Sequence, residues 1–193
     1  MLLFCTITAG AQTERRIYTK AELEKTEKRE KEKREKEKRK KEKRIEEIQD
    51  SIRAVEAFAA LEQLDFVVEA DRLFFKRGES AFVASNTNFI SLSDDKAVIQ
   101  VAPFNGGGPN GVGGITLEGR ASNIKLKTDK KGNAILNMSV SGTALSATID
   151  VSLQKKSYQA TVTVSPNFHS NRVTLYGILL PSALSDVYKG SAP

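Results

Sequence analysis

The chain has 193 residues, of which 30 are Lys or Arg, 24 are Asp or Glu and one is His, giving a formal charge of +6. One Cys (Cys5), one His (His169) and no Trp exclude a disulfide framework and a Cys/His zinc site, so neither a metal nor a cofactor is expected. The length suits one domain, or one domain with an appendage.

The charge is unevenly placed. Residues 20–44 hold 14 basic and 8 acidic side chains, whereas residues 51–193 hold 14 and 12. The surplus belongs to one run, and the pI near 9.4 describes that run.

In chain order, residues 1–11 read as the remnant of a signal peptide. Met1 to Ile7 is apolar except for Thr6, and Ala9 and Ala11 form the small-x-small pattern that a signal peptidase reads, with cleavage before Gln12. The apolar run is shorter than the roughly 20 residues that span a bilayer, so no transmembrane segment is expected. No basic residue precedes it, which a start codon placed too far downstream would explain. Cys5 follows Phe4, where a lipid-anchored leader would carry a small residue, so lipidation is disfavoured.

Residues 12–44 read as a charged helical spacer. From Lys20 to Arg44, 22 of 25 residues are charged, with no Gly or Pro. Glu24/Lys28, Glu27/Lys31, Glu30/Arg34, Glu32/Lys36, Glu35/Arg39 and Glu37/Lys41 are acid-before-base pairs at i,i+4. Each stabilises an isolated helix by roughly 0.2–0.5 kcal/mol. With no apolar seam over residues 24–44, a coiled coil is disfavoured, and the rod would be about 37 Å long at the helical rise. The basic cluster Lys38, Arg39, Lys40, Lys41, Lys43 and Arg44 is the candidate for contact with an anionic envelope surface. No aromatic residue is interleaved to stack bases, so specific nucleic-acid recognition is not expected.

Residues 45–64 change pattern. Ile45, Ile48, Ile52, Val55 and Ala59 recur at spacings of three and four, widened by Ala54, Phe58 and Leu61. This predicts an amphipathic helix whose end packs on the domain that follows. A short self-association seam is the alternative.

Residues 65–193 read as a mainly β, antiparallel domain. Leu145, Ala147, Ile149, Val151 and Leu153 alternate with polar residues, as do Tyr158, Ala160, Val162 and Val164, the mark of strands with one buried face. About eight runs are expected: 66–76, 80–92, 96–103, 114–128, 133–142, 145–154, 158–165 and 171–180. In the run 114–128 the apolar phase changes from odd to even positions near Ser122-Asn123, which predicts a β-bulge or bend. Long bent strands suit a barrel or a curled sandwich.

Several constellations resemble chemistry. Gly106-Gly107-Gly108-Pro109-Asn110-Gly111 matches GxGxxG, but a strand follows it and not the helix that a dinucleotide site needs. Glu69 and Asp71 would share one strand face at about 7 Å, the spacing of an inverting glycosidase pair, yet Arg72, Lys76 and Arg77 stand beside them. His169 has no Gly-x-Ser-x-Gly partner motif. The sequon Asn137-Met138-Ser139 falls mid-strand. No catalytic residue is therefore assigned. The weak candidates for ligand contact are Asn86, Asn88, Asn110, Asn167 and Asn171, corner residues that would form a polar rim if they met at one end of the domain.

Five segments carry a family resemblance: Leu64 to Asp71, Ser85 to Ile90, Gly108 to Thr116, Thr128 to Asn133, and Ser165 to Arg172. In order and over roughly residues 55–190, they resemble the domain of unknown function 4251 family, exported proteins of Bacteroides-type bacteria. The resemblance implies export, a leader ending near Ala11-Gln12 and a basic helical lead-in of variable length. It supplies no catalytic residues. The expected function is a non-enzymatic binding or structural role in an exported periplasmic or envelope protein. The first alternative is a lipocalin-like carrier of a small apolar ligand, with Ala84, Ala121, Ala147 and Ala160 as small inward positions. A hydrolase is the second, disfavoured alternative.

Overall fold

The computed structural model describes residues 20–103, 107–143, 145–168 and 171–192. The expected leader, Cys5 and His169 lie outside the described residues. The chain divides into two compact units between Ile45 and Glu46, and one helix, α1 (Lys20–Gln63), supplies residues to both.

In the first unit α1 is a solvated rod, with every residue from Glu22 to Ile45 exposed. The ion pair seen among residues 24–44 is Lys38–Glu42 at 3.8 Å, base before acid, and the six expected acid-before-base pairs stand open. Closing a fully solvated pair gains only a few tenths of a kcal/mol. Backbone propensity therefore carries the helix: Lys, Glu and Arg lose little side-chain freedom in it.

The second unit is built from nine strands: β1 (Asp65–Phe75), β2 (Ser80–Phe82), β3 (Phe89–Ser93), β4 (Lys96–Val101), β5 (Ile115–Thr128), β6 (Ala134–Gly142), β7 (Leu145–Leu153), β8 (Gln159–Pro166) and β9 (Val173–Pro181). All neighbours are antiparallel and follow chain order from β3 to β9, while β1 pairs with both β3 and β9. The result is a closed eight-stranded antiparallel barrel (β1 and β3–β9), with β2 a short arm on the upper part of β1. Of the two expected architectures, the barrel is the one formed, and closure leaves no long sheet edge to protect.

The run expected at 80–92 is two strands separated by a corner. The reason is Asn88, whose side-chain amide donates to the carbonyls of Ala84 and Ala102, at 3.0 and 3.1 Å. The expected phase change is a bulge: the β5–β6 register shifts between Ser122 and Lys125, and Asn123 takes φ 52°, a conformation Asn tolerates better than most side chains. The β5–β6 turn is held by Asp129, which accepts the backbone N–H groups of Lys131 and Asn133 at 2.8 Å each. The backbone N–H of Asn133 holds the Asp129 carboxyl below the usual carboxylate range.

Strand alternation fills the barrel. Ala134, Leu136, Met138 and Val140, then Ala147, Ile149, Val151 and Leu153, and then Ala160, Val162 and Val164 all point inward, joined by Phe66, Val68, Leu73, Ile90, Leu92, Leu175 and Leu179. Ala121 packs at the margin, whereas Ala84 sits exposed in the 83–88 corner and is not inward. At the end where β1 enters the barrel, Ala57, Ala60 and Leu61 of α1 join the same core. Tyr158 anchors this contact, donating its hydroxyl to Asp50 at 3.2 Å with the Arg53 guanidinium 5.6 Å from its ring centre. The expected stripe divides: Ile45, Ile48, Ile52 and Val55 are 52–71% exposed, whereas Ala54 and Leu61 are buried and Phe58 packs beside them, so it is the end of the helix that packs on the barrel. The packed face carries Ala54, Ala57, Ala60 and Leu61.

Candidate functional site

Antiparallel alternation puts the end of β1, the starts of β3, β5, β7 and β9, and the ends of β4, β6 and β8 at one end of the barrel, away from the α1 contact. The corners carrying Asn86, Asn88, Asn110, Asn167 and Asn171 all belong to that end. They share the end but differ in burial. Asn88 and Asn110 are buried, Asn86, Asn167 and Asn171 exposed.

The buried pair belongs to a network that ties down the C-terminal segment. Outward-facing residues of neighbouring strands fall in one row: Glu69 opposite Phe89, Phe89 opposite Gln100, and Gln100 opposite Thr116. After β9 the chain turns through a short 3-10 turn (Ser182–Leu184) and then crosses this row. The Ser185 hydroxyl donates to Glu69 at 2.7 Å, and the Tyr188 N–H donates to the Asn86 carbonyl at 2.8 Å. Gln100 donates to the carbonyls of Thr87 and Tyr188, at 2.9 and 2.8 Å, and accepts from Thr116 at 2.7 Å and from the Gly190 N–H at 2.8 Å. Asn110 donates to Thr116 at 3.2 Å and accepts from the N–H groups of Val112 and Gly114. The Ser191 N–H donates to the Asn110 carbonyl at 3.1 Å, and Lys189 pairs with Glu118 at 2.6 Å. The polar atoms of Asn88, Gln100 and Asn110 are thus spent on the protein itself, as buried polar groups must be.

Sequence reasoning passed over Gln100 and Thr116. Their signal was slight: a Gln inside the apolar run Ala97 to Val101, where an outward strand face is normally wet. Nothing local tells that a segment some 90 residues later will cover it.

The other constellations resolve locally. Asp71 is exposed at the register shift between Ala70 and Arg72, while Glu69 is half-buried and accepts from the Ser185 hydroxyl. Arg72 turns from both, its guanidinium 4.7 Å from the Phe82 ring centre and 5.8 Å from that of Tyr176. In the glycine-rich loop, the described part (Gly107 to Gly114) leads directly into β5. Asn137 of the sequon sits in β6 and donates to Asp150 at 2.6 Å. Asn167 donates to Ser146 at 2.8 Å. Lys38, Arg39, Lys40, Lys41, Lys43 and Arg44 are all exposed along α1. Among the described residues no group of three or more His, Cys, Asp or Glu could hold a metal ion, and no helix is long and apolar enough to cross a membrane.

The interior bears on the carrier alternative. Phe66, Val68, Leu136, Met138, Val140, Ala147, Ile149, Val151, Val162 and Leu175 have no accessible surface at all. A water could touch them neither from outside nor from an internal cavity. An eight-stranded barrel is just wide enough to be filled by side chains or to hold one small ligand, and here side chains occupy it. Among the described residues, the inward Ala147 and Ala160 are buried in this packing.

Residues 46–179 match the family described as Domain of unknown function (DUF4251). The chain belongs to the DUF4251 family. It is 44% identical to a DUF4251 family protein from Bacteroides eggerthii DSM 20697 whose crystal structure was determined at 1.95 Å. That match covers 72% of this chain and 95% of the other, with a TM-score of 0.63. No curated protein matches. The DUF4251 match begins at Glu46, where the second unit begins, so the family corresponds to the barrel with the last turns of α1 and leaves out the charged rod.

Proposed function

We propose that this DUF4251 protein is an exported, non-enzymatic component of the bacterial envelope, with a binding or structural role carried by the outer surface of a solid barrel. The filled interior is the observation that carries this reading. A barrel with no room inside meets its partners on its walls, its rims or its lead-in helix. Glu69 is engaged by the Ser185 hydroxyl and Asp71 is exposed at a register shift, which supports the non-enzymatic part. The small-x-small pattern at Ala9 and Ala11 supports export. The exposed cations Lys38 to Arg44 support contact of the helix with an anionic envelope surface.

Native mass spectrometry of the protein purified from its own host tests the export reading. The expected species comes from the periplasmic or envelope fraction and begins at Gln12. A cytosolic species beginning at Met1 would overturn it. Vesicles of anionic envelope glycolipid should retain the full chain at about 50 mM salt and release it at about 300 mM, as screening of exposed charges requires. Equal retention of a chain lacking residues 20–44 would remove the helix from that role.

A further inference from the structure

The barrel rim carries a second feature, away from the C-terminal segment. Where β9 begins, between the β1–β2 turn and the end of β8, lies a pocket of about 530 Å³, within the range of small-molecule sites. Its apolar wall is made by Phe74 and Pro166, and the hydroxyl residues Ser165 and Thr174 line it as well. Lys76 and Arg172 supply its charge.

Register makes the two cations informative. The last ladder pair between β1 and β9 is Phe75 with Val173, so Lys76 and Arg172 are the next residues on each side. Both line the same pocket, and like charges brought to one site repel. Neither cation has an ion-pair partner: among the described residues the barrel's ion pairs are Asp95–Arg120 and Glu118–Lys189. No carboxylate lines the pocket. The fold thus brings two positive charges to one pocket with an apolar wall, without an ion pair to either among the described residues.

We propose that this rim pocket binds a small amphiphilic anion, a phosphate monoester or carboxylate on a flat apolar body. The anionic group sits between Lys76 and Arg172, and the body lies against Phe74 and Pro166. This goes beyond the envelope reading and does not rest on it, since binding to the purified barrel is independent of compartment.

The test is amide chemical-shift titration of the full chain with three probes. 1-Naphthyl phosphate carries both halves, inorganic phosphate the anion alone, and 1-naphthalenemethanol the apolar body alone. The expected result is that naphthyl phosphate shifts the amides of Phe74, Phe75, Lys76, Ser165 and Thr174. It should bind at least about tenfold tighter than either half, and its affinity should fall severalfold between about 50 and 500 mM salt. Lys76→Glu and Arg172→Glu, both at exposed positions, should each weaken it about tenfold or more while the melting temperature stays unchanged. Shifts centred elsewhere, salt-independent binding, or equal affinity in the double charge-reversal variant would each overturn the proposal.

Discussion

Gln100 is the residue on which the C-terminal segment depends. It is fully buried on the outer face of β4 and makes four hydrogen bonds, two of them to the segment 188–190. Gln100→Leu keeps a similar volume but leaves the Tyr188 carbonyl, the Gly190 N–H and the Thr116 hydroxyl without that partner. Each unsatisfied buried group costs about 1–3 kcal/mol, and release of the segment limits the loss by letting water in. The expected outcome is a destabilisation of about 2–3 kcal/mol in urea, with hydrogen exchange at Tyr188, Gly190 and Ser191 accelerated far more than in β6 and β7. Unchanged exchange at those amides would show that the segment is held by something else. At this scale the sequence was readable wherever chemistry is local. Asn and Gly corners, the Asp129 turn and the Asn123 bulge follow from residue type and spacing. Asn88 and Asn110 look like ordinary corner residues until their partners, up to 81 residues away, are known from the fold.

Spacing gave α1 an apolar stripe of which only the end is packed. Ala54, Phe58 and Leu61 of that stripe meet the barrel, joined by Ala57 and Ala60, which spacing alone did not single out. The seam Ile45, Ile48, Ile52 and Val55 is left facing outward. The two faces separate cleanly by substitution. Ala57→Glu drives an unpaired carboxylate into the core and should cost more than about 3 kcal/mol. Ile52→Glu replaces a side chain already 52% exposed and should change stability by no more than about 0.5 kcal/mol. Paired urea melts of the two variants would reverse in order if that seam were the packed face. The strands were easier to read because a period of two leaves little freedom: shifting a strand by one residue would turn Leu136, Met138 and Val140 out into water.

Closure of the barrel is a property of the whole chain. It joins β1 to β9 across about 100 residues, and alternation within either strand is equally compatible with a sandwich. What decides is whether the two backbones can meet, and at their junction the small residues are the requirement. Ala70 lies opposite Gly177, and Gly177 lies opposite Ala160 on the next strand, so two alanines and a glycine form one tight belt. A Cβ at Gly177 would collide with the Glu69 carbonyl oxygen and approach the Ala70 Cα to 2.6 Å. Both are backbone atoms of the partner strand, which cannot swing aside as a side chain can. Gly177→Ala should therefore strain the closing seam and cost at least about 2–3 kcal/mol, the upper range for overpacking. Ile178→Ala is the matched control, removing a side chain that is 39% exposed on the outer wall, for a loss of no more than about 1 kcal/mol. In urea, an unchanged slope with a lowered midpoint would mean the barrel stays closed under strain. A reduced slope for Gly177→Ala would mean that β1 and β9 have parted in the native state, because less surface remains to be exposed on unfolding. An unaltered midpoint would mean that the seam has room to spare, and that closure is set elsewhere in the chain.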